Sequence, residues 1–166
     1  NANNNGAESF AYVPKTVHGN LHLLTSPSYG HKFYVNAPGR LADAYINGGW
    51  ETLYVSTLGE GGRGIFALNA TNPFTANNNP ALWERNSGDT AIDADYAELG
   101  SIKHRPALVR LNNNRWGVIV GNGFNSASEK AQIFILDAED GSIIKKFDTL
   151  TGGTGINSAG ISNGMS

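Results

Sequence analysis

The sequence has no cysteine, which removes disulfide frameworks, thiolate metal sites and cysteine nucleophiles together. That absence leaves the compartment open, because an exported protein with an adequate core needs no disulfide. Charge of one sign is also lacking: 12 basic residues against 14 acidic ones give a net charge of -2. The basic footprint of a dedicated nucleic-acid binder is therefore missing. No run approaches the roughly 18 apolar residues of a membrane-spanning helix. The longest apolar stretches are pieces such as Val118 to Val120 and Ile133 to Leu136. The chain opens Asn1-Ala2-Asn3 without an initiator Met or a signal peptide, which reads as a segment of a longer or processed protein.

What the chain does contain is turn chemistry and a modest core. It has 166 residues, enough for one domain or part of a larger one, with 21 glycines, 6 prolines and asparagine triplets at 3–5, 77–79 and 112–114. Such a chain turns often and holds few long helices. A hydrophobic content of 40% with 10% aromatics suits a globular core rather than disorder.

The strongest signal is an internal repeat. Trp50-Glu51-Thr52-Leu53-Tyr54-Val55 lies over Trp116-Gly117-Val118-Ile119-Val120, and Ile65-Phe66-Ala67-Leu68-Asn69-Ala70 over Ile133-Phe134-Ile135-Leu136-Asp137-Ala138. The Trp offset is 66 and the Ile offset 68, which places a two-residue difference in the intervening Gly-rich loop. Each copy reads as four short strands. In the first these are 41–46, 50–57, 65–70 and 82–85, with Asn47-Gly48-Gly49 as the first turn. In the second they are 107–111, 115–121, 131–137 and 142–147, with Asp140-Gly141 as a hairpin signal.

Two consecutive four-stranded antiparallel units imply an all-β chain, a β-propeller segment of about two blades plus flanking strands. The alternative is an eight-stranded β-sandwich, which would bury the same alternating faces. Residues 1–9 are expected to be a disordered or loop start, and 10–36 the end of a preceding blade plus an insert. Blades follow at 37–99 and 100–150, and a Gly/Ser/Asn-rich linker into the next blade at 151–166. Within 10–36, Phe10 to Pro14 reads as a last strand, and the insert as a short helix or irregular arm followed by a strand over 32–35.

Four segments carry a family resemblance. They are Ala11-Tyr12-Val13-Pro14; Tyr29-Gly30-His31-Lys32-Phe33-Tyr34-Val35; Gly61-Gly62-Arg63-Gly64-Ile65-Phe66-Ala67-Leu68-Asn69; and Arg115-Trp116-Gly117-Val118-Ile119-Val120-Gly121-Asn122-Gly123-Phe124-Asn125-Ser126. In this order they resemble the C-terminal β-propeller domain of the PilC/PilY proteins of type IV pilus biogenesis and the pilus tip. The resemblance covers most of the chain from about Phe10. It implies an exported protein at the surface, pilus tip or outer membrane of a Gram-negative bacterium. The implied partners are pilin or minor pilin subunits, host or abiotic surfaces and the remaining blades. It also implies a calcium site in the parent protein. The family's Asp-x-Asp/Asn-x-Asp/Asn loop does not occur here and is expected after Ser166, so no residue of this chain inherits a ligand role and no cofactor is assigned to this segment.

The remaining motifs each have an ordinary structural role as well as a chemical one. Gly59-Glu60-Gly61-Gly62-Arg63-Gly64 satisfies Gly-x-Gly-x-x-Gly, but a strand rather than a helix follows, so a tight connection is preferred to a phosphate loop, with Arg63 pairing to a neighbouring blade or to Glu60. His18 and His22, with His31 or Asp43, have zinc-like spacing; His104 reads as a loop residue. Asp89, Asp93 and Asp95, with Glu98, are weak calcium candidates, and Asp137, Glu139 and Asp140 weaker ones. Trp50 and Trp116 are expected at equivalent positions in a packing role, as are Trp83 and Phe147 in the last strand. No catalytic set converges, and the expectation is a non-enzymatic assembly and adhesion module. The alternatives are a quinoprotein-type (pyrroloquinoline quinone) dehydrogenase propeller and a carbohydrate-binding adhesin.

Overall fold

The computed structural model describes residues 2–3, 7–8, 10–72 and 80–152. Among the described residues ten strands run in chain order: β1 (Ala2–Asn3), β2 (Ala7–Glu8), β3 (Arg40–Ile46), β4 (Gly49–Thr57), β5 (Gly64–Asn69), β6 (Ala81–Asn86), β7 (Ala107–Arg110), β8 (Trp116–Gly121), β9 (Lys130–Asp137) and β10 (Ile143–Gly152). β1 and β2 form a two-residue ladder in the segment expected to be loop. The others make two antiparallel sheets, ordered β3-β4-β5-β6 and β7-β8-β9-β10.

Each sheet is a simple meander, and the chain leaves the last strand of the first to enter the first strand of the second. A sandwich of this size exchanges strands between its sheets, whereas blades keep sequential order, so the connectivity is that of a propeller. β3 touches β7 and β8, which puts the first strands of the two blades side by side. The eight strands expected in the two blades all form, with β10 running five residues past its predicted end.

The seam between the blades holds the main core. Ala44, Ile46, Leu53, Val55, Ile65, Ala67 and Trp83 from the first sheet meet Leu108, Val118, Val120, Phe134, Leu136 and Ala138 from the second. Tyr96, Leu99 and Ile102, all 0% exposed, come from the connector between them. β5 is apolar from Ile65 to Leu68 because it is buried on both faces: Ile65 and Ala67 face the seam, and Phe66 and Leu68 join a second cluster with Val17, Leu58 and Tyr54.

Residues 10–36 cover that second face. Phe10 to Pro14 forms no strand, because it lies across the sheet with Phe10 and Tyr12 packed on the Phe66 cluster instead of running along an edge. The insert begins as a 3-10 helix over Lys15–Thr25. The strand expected over 32–35 is absent: that stretch bends, and Asn36 N–H bonds to Leu58 O instead.

The register also corrects the repeat alignment. Asn69 opposes Leu53 and its counterpart Asp137 opposes Gly117, so the second strands are offset by 64 and not 66. Trp116 corresponds to Thr52 in the ladder, and Trp50 has no counterpart strand residue. The difference in the loop between second and third strands is four residues (68 against 64), confirmed by the matching left-handed glycines Gly59 (φ 65°) and Gly123 (φ 75°). β3 and β4 extend beyond that common ladder into a hairpin closed by Asn47 (φ 52°) and Gly48 (φ 80°), a type I′ turn.

Candidate functional site

Three polar constructions hold the blades, their connector and the leading segment in place. The first is a staple from β6 and the connector onto the β9–β10 turn. Trp83 Nε1 donates to Ala138 O at 2.9 Å, Tyr96 Oη to Gly141 O at 2.7 Å and Arg85 Nη2 to Asp140 O at 2.5 Å. Arg85 Nε also reaches Tyr96 Oη at 3.2 Å, so three side chains clamp three successive parts of one turn. Burial raises the Tyr96 phenol above its ordinary value, against the opposing pull of Arg85. Burial alone would also raise the Asp140 carboxyl, but hydrogen bonds from Ser142 and the nearby Arg85 and Arg115 hold it lower. Gly141 (φ 74°) lets the indole lie on the turn: a Cβ there would sit 2.6 Å from Trp83 Cε3. Only Gly141, not Asp140, takes the positive φ that the hairpin signal suggested.

The second construction joins the connector to the β8–β9 loop. Asn122 is 0% exposed. Its amide donates to Glu98 O at 3.2 Å and Lys130 O at 2.8 Å, and its Oδ1 accepts from Gln132 N at 3.0 Å. Ser101 and Phe124 add a bridge, with backbone so close that Gly100 and Gly123 have no room for a side chain. In the first blade, Gly59 and Gly61 press in the same way on Asn36 and Tyr34. The Gly-x-Gly-x-x-Gly match is thus a packing loop. Lys103 takes Glu60 as its ion-pair partner at 2.5 Å, in place of the expected Arg63, whose side chain is exposed.

The third is a clasp. Glu84 on β6 accepts from Lys15 N (2.8 Å), Thr16 N (2.8 Å), Thr16 Oγ1 (2.5 Å) and Tyr12 Oη (2.9 Å). It caps the 3-10 helix from another element and ties residues 10–25 to the first blade. Partial burial would raise the Glu84 carboxyl, but the bonds from Thr16, Lys15 and Tyr12 outweigh it and hold it below its ordinary value. Burial, then the Glu84 partner, raise the Tyr12 phenol. A cavity of about 390 Å³ opens beside the clasp, lined by Lys15, Thr16, Glu84, Arg85, Asn86, Asp89 and Ile92. The clasp had no sequence signal, because the partners lie 68 to 72 positions apart.

The other predicted residues are dispersed. Asp89 Oδ2 accepts from Asn86 N at 2.8 Å, Asp93 Oδ1 from Asp95 N at 2.9 Å, and Asp95 pairs with Lys146. Each of these carboxylates is committed to a turn, a cap or an ion pair. Glu98 Oε2 accepts from Ser128 N and Oγ at 3.1 and 2.7 Å. Asp137 pairs with Arg115 and also accepts from Glu139 N at 2.8 Å. His18 and His22 lie on a helix of three residues per turn, so four positions apart they diverge by a third of a turn. Among the described residues, no three His, Asp or Glu side chains converge as a metal site would require. His104 Nε2 stands 3.1 Å from Gly121 N.

The tryptophans part company. Trp83 is buried, whereas Phe147 is 47% exposed, and the register sets Lys145, not Phe147, in Trp83's place. Trp50 is 65% exposed despite an edge contact with Trp116 at 5.8 Å.

Fold and geometry together define a pair of consecutive propeller blades, stapled across their seam. The family model described as the PilY1 beta-propeller domain matches residues 3–166, and the chain belongs to that family. It is 40% identical over 147 residues to a type IV pilus biogenesis factor PilY1 homolog of Xylella fastidiosa, covering 89% of this chain and 10% of that protein. It is 37% identical over 164 residues to the type IV pilus biogenesis factor PilY1 of Pseudomonas aeruginosa strain UCBPP-PA14, covering 97% and 13%. The crystal structure of the Pseudomonas aeruginosa PilY1 C-terminal domain superposes with a TM-score of 0.72 at 34% identity, over 93% of this chain and 29% of that one. The chain spans about a tenth of the length of these curated relatives.

Proposed function

We propose that these blades are a non-enzymatic part of the propeller of a type IV pilus biogenesis factor, exported to the surface or pilus tip of a Gram-negative bacterium, where it supports pilus assembly, twitching motility and surface adhesion. The observation that carries the reading is the family match along almost the whole chain, with relatives named as pilus biogenesis factors. Supporting it, the polar residues within the described part serve caps, turns and the seam, which is what a scaffold for binding loops requires. In this reading pilin or minor pilin subunits are the assembly partners, and calcium belongs to a loop of the whole protein outside this chain rather than to Asp89, Asp93 or Asp95. The test is deletion of the encoding gene and complementation with the wild-type gene or one carrying Trp83→Ala. Deletion should abolish surface pili and twitching, the wild type should restore both, and the seam variant should fail. Unaltered piliation and motility in the deletion strain refute the assignment.

A further inference from the structure

We propose that the protruding β3–β4 hairpin, with Trp116 of the second blade, is a carbohydrate-binding edge that seats a pyranose ring on the Trp50 indole while Asp43 receives its hydroxyls. Tyr45 and Trp50 face each other across the hairpin and meet edge to face at 5.8 Å and 80°. Trp50 meets Trp116 the same way at 5.8 Å and 74°. The Trp50 indole is therefore held between two aromatic rings yet remains 65% exposed, beside Tyr45 at 50%. Its N–H has no partner among the described residues. A platform ordered before binding loses little entropy on receiving a ligand.

The next pair along the same face is Asp43 and Thr52, two residues or about 7 Å away. Thr52 Oγ1 donates to Asp43 Oδ1 at 2.6 Å, and that bond fixes the carboxylate. Asp43 is exposed, so its other oxygen is open to ligand donors. A protein-docking surface depletes charge at its centre. Here an aromatic face adjoins an accepting carboxylate and a donating N–H, which matches a sugar: one face of C–H bonds and a rim of hydroxyls.

The register explains why this edge stays open beside a neighbouring blade. Asp43 opposes Thr52 as Arg110 opposes Trp116, so Arg110 is its counterpart. Arg110 is exposed even though the first blade is packed against the second. Tyr45 and Trp50 lie one pair further out, beyond the end of the β7–β8 ladder. A blade packed on the first as the first packs on the second leaves this pair uncovered.

The test uses the full-length protein with cellotetraose, maltotetraose and chitotetraose, followed by tryptophan emission and calorimetry. At least one should bind saturably with a blue shift. Trp50→Ala should weaken binding about tenfold, the upper range for aromatic stacking. Trp50→Phe should recover part of it, and Asp43→Asn should cost several-fold, all with an unchanged thermal midpoint. Failure of all three sugars to bind, or binding that survives Trp50→Ala, overturns the proposal. So does loss of pilin binding in Trp50→Ala without sugar binding in the wild type. Piliation is scored separately, so this proposal and the pilus assignment fail independently.

Discussion

Replacing Gly141 by alanine tests whether the Trp83 staple holds the two blades together. Two costs combine there. Gly141 has φ 74°, and a left-handed non-glycine residue costs about 1–2 kcal/mol. Its new Cβ would also lie 2.6 Å from Trp83 Cε3 and 2.7 Å from Cδ2, so the indole must shift off its hydrogen bond to Ala138 O. Overpacking of that kind adds about 1–3 kcal/mol. Gly48 is the natural control, since its φ is 80° but nothing lies within 4 Å of its Cβ position. Gly48→Ala should therefore show the backbone cost alone. Urea unfolding of the propeller domain should place the Gly141→Ala midpoint about 1 M below that of Gly48→Ala, taking an m-value of about 2 kcal/mol/M. In a Trp83→Phe background, which removes the bulk of the indole, the gap should narrow, a direct measure of coupling between the two sites. Equal midpoints for the two alanine variants in the wild-type background would refute the idea that docking of Trp83 dictates glycine at 141.

Glu84→Gln removes the charge from the clasp and should cost about 1 kcal/mol, the scale of a helix cap at a partly exposed site, read as faster limited proteolysis within 15–25 without loss of the sheets. The same clasp sets a pH window. Because the folded Glu84 carboxyl is held low, its contribution is complete above the ordinary value of 4.5 and is lost as pH falls through the folded value. Because the Tyr12 phenol is raised, its contribution is complete below its ordinary value of 10.0 and is lost as pH climbs above it. Proteolysis of residues 15–25 should accelerate at both extremes, and Glu84→Gln should abolish the acid limb; an acid limb that persists in the variant would rule Glu84 out as its source. Asn122→Ala leaves Glu98 O, Lys130 O and Gln132 N without their amide partner and should cost about 3 kcal/mol, seen as a lower urea midpoint. An unfolding free energy within about 0.5 kcal/mol of wild type, the spread of ordinary surface substitutions, would contradict the role given to Asn122.

Local pattern carried much of the architecture. Alternation in β3 and β4, the continuous apolar run of β5 and the Asn47-Gly48 turn all report their surroundings within a few residues. Matching tryptophans misled for the same reason: similarity along the chain ignores which residues face each other across a ladder, and that pairing sets Trp116 opposite Arg110 while Trp50 lies further out in a longer hairpin. The Phe10 to Pro14 segment had strand-like composition, yet nothing local says whether an apolar stretch pairs along an edge or lies across a face.

By itself the sequence determined the all-β class, the two meanders and the family, because each rests on short-range periodicity, turn residues and contiguous motifs. Only the tertiary structure decided the clasp on Glu84, the staple of Trp83, Arg85 and Tyr96, and the Tyr45–Trp50–Trp116 aromatic row. Their members come from separate strands and connectors, and hydrogen bonds and ring contacts between them depend on register and on the seating of one sheet against the next, neither of which leaves a pattern along the chain.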